Sequence, residues 1–343
     1  MKKNISVLLL AAVLLLSACT PAPQPNPGES TAPPQSEASQ GTAADSTADP
    51  SGTEQTGSTQ AVTPETSIPE TGSTETSAAQ TESEDASQGS QTQEETESTE
   101  DPSELIGTLY TRGELYALSG TKYGYGPGPS KDGKRPEYAL GDQKRNEKYG
   151  ANFIAPDNGK IYLTFDCGYE YNNVTADILD TLKEKDVKAV FFVTMHYVKD
   201  NPELVQRMID EGHTVGNHSN HHYCIPDLSV DEMAYEIMSL HEYVLEHFGY
   251  EMTLFRPPEG AYSTRSLALT QSLGYKTVHW SFAYVDWDTD DQPDPETALN
   301  KVTSSAHSGA IYLLHAVSET NAAILADAID SFRDQGYTLE LFG

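Results

Sequence analysis

Residues 160–170 read KIYLTFDCGYE. An apolar run, Ile161-Tyr162-Leu163, leads through Thr164 and Phe165 into one acid, Asp166, then Cys167 and Gly168. An apolar run that ends on a carboxylate beside a glycine turn reads as a buried strand with chemistry at its C-terminal end. Downstream, strand-like and helix-like runs alternate. NNVTADILDTLKEKD (172–186) sets Val174, Ile178 and Leu182 on one helical face. VKAVFFVT (187–194) is an apolar strand, and NPELVQRMIDEG (201–212) is a helix with Pro202 in its first turn and Gly212 as a stop. HTVGNH (213–218) is a short strand. SVDEMAYEIMSLHEYVLEHFG (229–249) is a long helix capped by Ser229, with Glu232 three residues on. Strands TLFRPP, KTVHW, GAIYLLH and YTLELF then alternate with helices TRSLALTQSLG, PETALNKVTSSA and NAAILADAIDSFRDQG. This order implies parallel strands, and about seven of them imply an α/β barrel, complete or incomplete. Residues 105–155, with GYGPGPSKDGKRPEYALGDQ, look irregular and are expected to wrap the barrel. No internal repeat is visible.

The rest of the 343-residue chain is of another kind. Residues 1–19, MKKNISVLLLAAVLLLSAC, combine two lysines, a leucine-rich run and small residues before a cysteine, the pattern of a secretion signal. The ending LSAC is similar to a bacterial lipobox. In that case Cys19 becomes a lipidated first residue tethered to the outer face of the membrane; the alternative is an ordinary signal cut near Ala18. Residues 20–104 are dominated by Ser, Thr, Gln, Glu, Pro, Gly and Ala, with no Lys or Arg between Lys3 and Arg112. Such a segment cannot bury enough apolar surface to offset its ordering entropy and is expected to be a disordered linker. Its span, roughly 50 Å, suits a tether reaching from a membrane into a cell wall. Of the 52 acids, 17 lie in the linker, leaving 35 against 19 Lys and Arg in residues 105–343, so the folded part is near −16. That argues against a nucleic-acid partner, which needs basic stripes. Residues 105–343, with a core from about 158, are one domain's worth of chain, and a tethered monomer is the default expectation.

Functional residues of such barrels gather at the C-terminal ends of strands. Asp166, His218, His222, Arg256, Asp286, Trp287 and His315 all fall there. His218 and His222, four apart, share a face if they lie on a helical turn and can then reach one metal ion. Arg256 is a candidate ion partner for Asp166. Each of these alone has a bland reading as a cap, a turn residue or a packed core histidine.

Together they are more specific. In this order and spacing, TFDCG, HSNHH, RPPEG, VDW and IYLLH resemble the five motifs of the polysaccharide deacetylases, the NodB-homology proteins of carbohydrate esterase family 4. The longer stretches FFVTMHYVKDNPELVQRMIDEGHTVGNHS and GAIYLLHAVSETNAAILADAID resemble the branch acting on N-acetylmuramic acid in peptidoglycan, a branch that leads to muramic δ-lactam in spore cortex. The resemblance implies a distorted (β/α)₇ barrel and a metal-assisted amide hydrolysis. By it, Asp166 is the general base, Arg256 holds that base, His315 is the acid and Asp286 orients His315. His218 and His222 are metal ligands for a divalent ion, zinc first, with manganese or cobalt as alternatives. Trp287 is a pocket wall, and Tyr169 and Glu259 are expected beside it as substrate contacts. Peptidoglycan is the expected partner, with another N-acetylated glycan or a non-catalytic wall-binding role as alternatives.

The family's second acid, a metal ligand, is replaced here by Cys167. Three roles are open to it: a thiolate completing a Cys/His/His site, a disulfide partner of Cys224, or a small neutral spacer. Glu259 stands where many family members carry Tyr, and Ser281 where they often carry an acid.

Overall fold

The computed structural model describes residues 101, 103–128 and 130–343. The expected signal peptide, Cys19 and the linker up to residue 100 lie outside the described residues. Among those described, no helix is long and apolar enough to cross a membrane.

A short antiparallel pair, β1 (Leu105–Ile106) and β2 (Tyr110–Thr111), opens the domain, followed by α1 (Arg112–Ala117) and α2 (Glu137–Asn146). Next, β3 (Ala151–Asn152) pairs in parallel with β8 (Lys276–Val278). Residues 105–155 are therefore more regular than their composition suggests. The polar sequence of α2 has no apolar stripe to announce it.

The seven expected strands are all present and all parallel. They are β4 (Lys160–Cys167), β5 (Val190–Val193), β6 (Thr214–Asn217), β7 (Leu254–Phe255), β8, β9 (Ala310–His315) and β10 (Thr338–Leu339). Between them run α3 (Val174–Glu184), α4 (Met195–Asp200), α5 (Pro202–Asp210), α6 (Val230–Phe248), α7 (Thr264–Ser272), α8 (Pro295–Ser304) and α9 (Glu319–Asp334). The Ser229–Glu232 capping box starts α6, and Gly249, at φ 61°, ends it in the left-handed conformation. Thr194 caps α4, a helix that the sequence did not announce.

The sheet runs β9-β4-β5-β6-β7-β8 and curls back on itself. A single parallel bridge, Phe282 to Tyr312, joins the segment after β8 to β9, where Leu313 N–H donates to the Phe282 carbonyl at 2.9 Å. β10 pairs only with Lys160 and Ile161. Ile161 also pairs with Ala310 of β9, so β10 occupies the other edge of β4, below β5. This is the distorted (β/α)₇ barrel.

Alternation along the strands divides the core in two. Tyr162, Val190, Phe192, Leu254, Val278 and Ile311 fill the lumen, and Phe342 packs on Tyr162 there. Ile161, Leu163, Phe165 and Cys167 belong to the larger layer, with Val174, Ile178 and Leu182 of α3. Gly216 makes room for Phe192: a Cβ there would lie 2.5 Å from the Phe192 ring. Gly216→Ala is expected to lower stability by about 1–3 kcal/mol, the usual range for overpacking. A urea titration checks this, and an unchanged midpoint contradicts it.

Candidate active site

The parallel pairing of β4 and β9 sets Asp166 beside His315 at the C-terminal ends of both strands. Arg256, wholly buried just after β7, donates from Nη1 to Asp166 Oδ1 at 2.7 Å. Its Nε and Nη2 donate to the carbonyls of Val278 and His279, each at 3.1 Å, and its guanidinium lies 4.2 Å from the Phe192 ring centroid. Burial pushes the Asp166 carboxyl up, but Arg256, then His218 and His315, outweigh it and hold it below the usual carboxylate range. Asp166 is thereby kept as an acceptor.

His218 donates from Nδ1 to the Arg256 carbonyl at 2.8 Å. Burial lowers its pKa to about 4, so the ring is neutral near pH 7 and Nε2 keeps its lone pair. That nitrogen lies 3.5 Å from Asp166 Oδ2. His222 lies close by, its ring centroid 4.8 Å from that of His218. The two histidines do not lie on a helical turn. They flank a loop in which Ser219 and His222 adopt φ of 69° and 60°. Side-chain bonds hold this strained backbone: Ser219 N–H to Asn217 Oδ1 and His222 N–H to Ser219 Oγ, both 2.9 Å.

On the other side of Asp166, His315 is 2.7 Å from Asp286 Oδ1 through Nδ1, and its backbone N–H donates to Oδ2 at 2.9 Å. Asp286 is buried and also accepts from Asn321 Nδ2 at 2.6 Å. Burial works to lower the His315 pKa, but the Asp286 hydrogen bond and charge prevail, so it is raised. Trp287 packs its ring at 5.6 Å from that of His315. A cleft of about 680 Å³ joins these groups, lined by Asp166, Tyr169, His218, His222, Trp287 and His315, with His196, His221 and Tyr223 among the others. Trp287 and Tyr169, 51% and 44% exposed, offer apolar faces there.

Three expectations are corrected. Cys167 shares the orientation of Phe165, not of Asp166: its thiol is wholly buried in the outer layer and absent from the cleft wall. Burial, then the charges of Asp166 and Glu170, push that thiol well above its ordinary pKa, which disfavours a thiolate ligand. Cys167 and Cys224 are both free, so no disulfide joins them. Glu259, at φ 58°, is exposed and does not line the cleft.

Among the described residues, no group of three His, Cys, Asp or Glu converges as a complete metal shell. What is present is narrower. Two imidazoles share one wall, and two electron-rich atoms, His218 Nε2 and Asp166 Oδ2, face each other with no hydrogen between them. That donor set fits a divalent cation held by His218 and His222, with the remaining positions left open. It does not fit a three-ligand site built on Cys167.

Two supporting residues escaped the motifs. Asn321 orients Asp286, and nothing in its local sequence marks it. Glu236 holds His221 at 2.6 Å and is legible, because it interrupts the apolar stripe of α6 formed by Met233, Ile237 and Leu240.

Residues 154–278 match the family model described as polysaccharide deacetylase. Over 196 residues the chain is 46% identical to the peptidoglycan-N-acetylmuramic acid deacetylase PdaA of Bacillus subtilis, covering 57% of this chain and 74% of that protein. The solved structure of Bacillus subtilis PdaA, a family 4 carbohydrate esterase, superposes with a TM-score of 0.63 at 41% identity, over 65% of this chain and 96% of that one. A family 4 carbohydrate esterase from Bacillus anthracis superposes with a TM-score of 0.54 at 38% identity, over 65% and 95%.

Proposed function

The chain belongs to the polysaccharide deacetylase family, and from that premise we propose that it hydrolyses the acetamide of N-acetylmuramic acid in peptidoglycan. The observation that carries the chemistry is the placing of a deprotonated acid, Asp166, beside a histidine with a raised pKa, His315, at one cleft.

Asp166, fixed by Arg256, accepts a proton from the water that attacks the acetyl carbonyl carbon. His315, held through Nδ1 by Asp286, presents Nε2 to the amide nitrogen. As the C–N bond breaks, that nitrogen takes the Nε2 proton and leaves as the free amine, and the acetyl group departs as acetate. A divalent cation at His218 and His222, zinc ahead of manganese or cobalt on these nitrogen donors, supplies polarisation of the acetyl carbonyl when bound. Trp287 and Tyr169 wall the sugar and limit water around the reacting amide. The same proposal places the protein outside the cell, lipid-tethered at Cys19, monomeric, with the linker reaching the wall.

Acetate release from purified glycan tests the substrate. Release from muramic-containing chains, well above that from N-acetylglucosamine oligomers, is expected; release from the latter alone overturns the muramic assignment.

Asp286→Asn tests the acid. Asp286 is what raises His315, so in the variant burial prevails and the pKa falls. The acid form is then lost at lower pH, and the alkaline limb of the kcat/KM profile moves down. The maximum should also fall by about 10²-fold. An alkaline limb that stays in place would show that His315 is not the acid.

A further inference from the structure

The chemistry above leaves the Glu236–His221 pair unused. Glu236 lies on the apolar stripe of α6, where an unpaired carboxylate would be costly. Both of its oxygens engage one residue. Oε2 accepts from the His221 backbone N–H at 2.8 Å, and Oε1 lies 2.6 Å from His221 Nδ1. The Glu236 carbonyl also accepts from Asn220 N–H at 2.9 Å. The carboxylate accepts, so Nδ1 carries the hydrogen and the ring is held with Nε2 turned away from Glu236.

The far side of that ring is half-exposed on the cleft wall, stacked on Tyr223 with centroids 5.2 Å apart and planes 20° apart. Tyr223 is itself exposed. An aromatic face beside a fixed imidazole nitrogen suits a pyranose, whose C–H face packs on the ring while a hydroxyl hydrogen-bonds the nitrogen. Among the described residues the cleft wall carries no Lys or Arg, which suits neutral hydroxyls better than carboxylates.

Position separates it from the reacting sugar. β4, which carries Asp166, stands between β9, which carries His315 with Trp287 against it, and β5–β6, which lead into the His221 loop. His221 and Tyr223 therefore face the cleft from the side opposite to the acid.

We infer that His221 and Tyr223 form a subsite for a second sugar of the glycan, flanking the one that loses its acetyl group. Glu236 is the positioning residue that fixes the His221 ring. This rests on the deacetylase reading of the cleft and adds that the enzyme reads chain length.

The test compares N-acetylmuramic acid alone and a peptide-free hexasaccharide of peptidoglycan as substrates for the full chain and for His221→Ala, Tyr223→Ala and Glu236→Gln. The unmodified chain is expected to have the lower KM on the hexasaccharide. Each alanine variant should raise that KM about five- to tenfold, as for a lost hydrogen bond or stacking face, and leave the monosaccharide KM much less changed. Glu236→Gln, which weakens the hold on the His221 ring, should act in the same direction more weakly. Thermal unfolding checks that each variant is folded. Equal losses of kcat on both lengths, with the KM ratio kept, would make His221 a loop scaffold and overturn the subsite. If no glycan releases acetate, the deacetylase reading fails, and calorimetric binding of the hexasaccharide decides the subsite separately. Binding weakened by Tyr223→Ala supports it, and binding untouched by that change overturns it.

Discussion

Asp166→Asn should lower kcat by about 10³-fold or more, at the upper range for loss of a positioned base, in a domain that stays folded. The amide keeps an oxygen toward Arg256 Nη1, and Arg256 retains its bonds to the Val278 and His279 carbonyls. It loses only the charge opposite, so a lower melting temperature accompanies the loss of turnover. Acetate release with a calorimetric scan of the same sample checks both parts. Substantial residual turnover from the folded variant would remove Asp166 from the role of base.

Arg256→Met should be the most destabilising single change at the site. It leaves the Asp166 carboxylate buried with its strongest partner gone, and breaking one side of a buried pair costs about 3–5 kcal/mol. It also frees the Val278 and His279 carbonyls and empties the space over Phe192. In a urea titration the midpoint should fall with little change in slope. Without the guanidinium, burial prevails at Asp166 and its pKa rises, so any remaining activity should lose its acid limb at higher pH. A variant as stable as the parent would mean that the ion pair contributes nothing net.

Why the strands and most helices could be read in advance is physical. Each βα unit carries its own periodicity and its own punctuation, as with Ser229, Glu232 and Gly249 around α6. The cleft's carboxylate and histidine could be read for a related reason: Asp166 and His315 end long apolar strands, where the chain must leave the sheet. Cys167 was harder because its position in a motif concealed its position in a pleat. Counting by twos along Ile161, Leu163 and Phe165 assigns it to the helix-facing layer, and the structure puts it there. The His218–His222 loop has no such rule. Four-residue spacing suits a helical turn, yet the turn is set by left-handed residues tied through Asn217 and Ser219, non-local in origin because Asn217 is itself anchored to Ile237 O at 2.7 Å. Glu259 misleads likewise: its left-handed backbone leaves it exposed, away from the cleft. In α2 and β3 the local signal is weak, and pairing with β8 supplies what composition does not.

The central claim is that this cleft removes the acetyl group from muramic acid by hydrolysis. It is tested most directly by mass spectrometry of defined muropeptides incubated with the purified protein in ¹⁸O-labelled water, metal-stripped and then given zinc. The account predicts loss of acetyl from the muramic residue alone, label in the released acetate, and a faster reaction once zinc is restored. Intact muropeptides in both conditions, from folded protein, would contradict it.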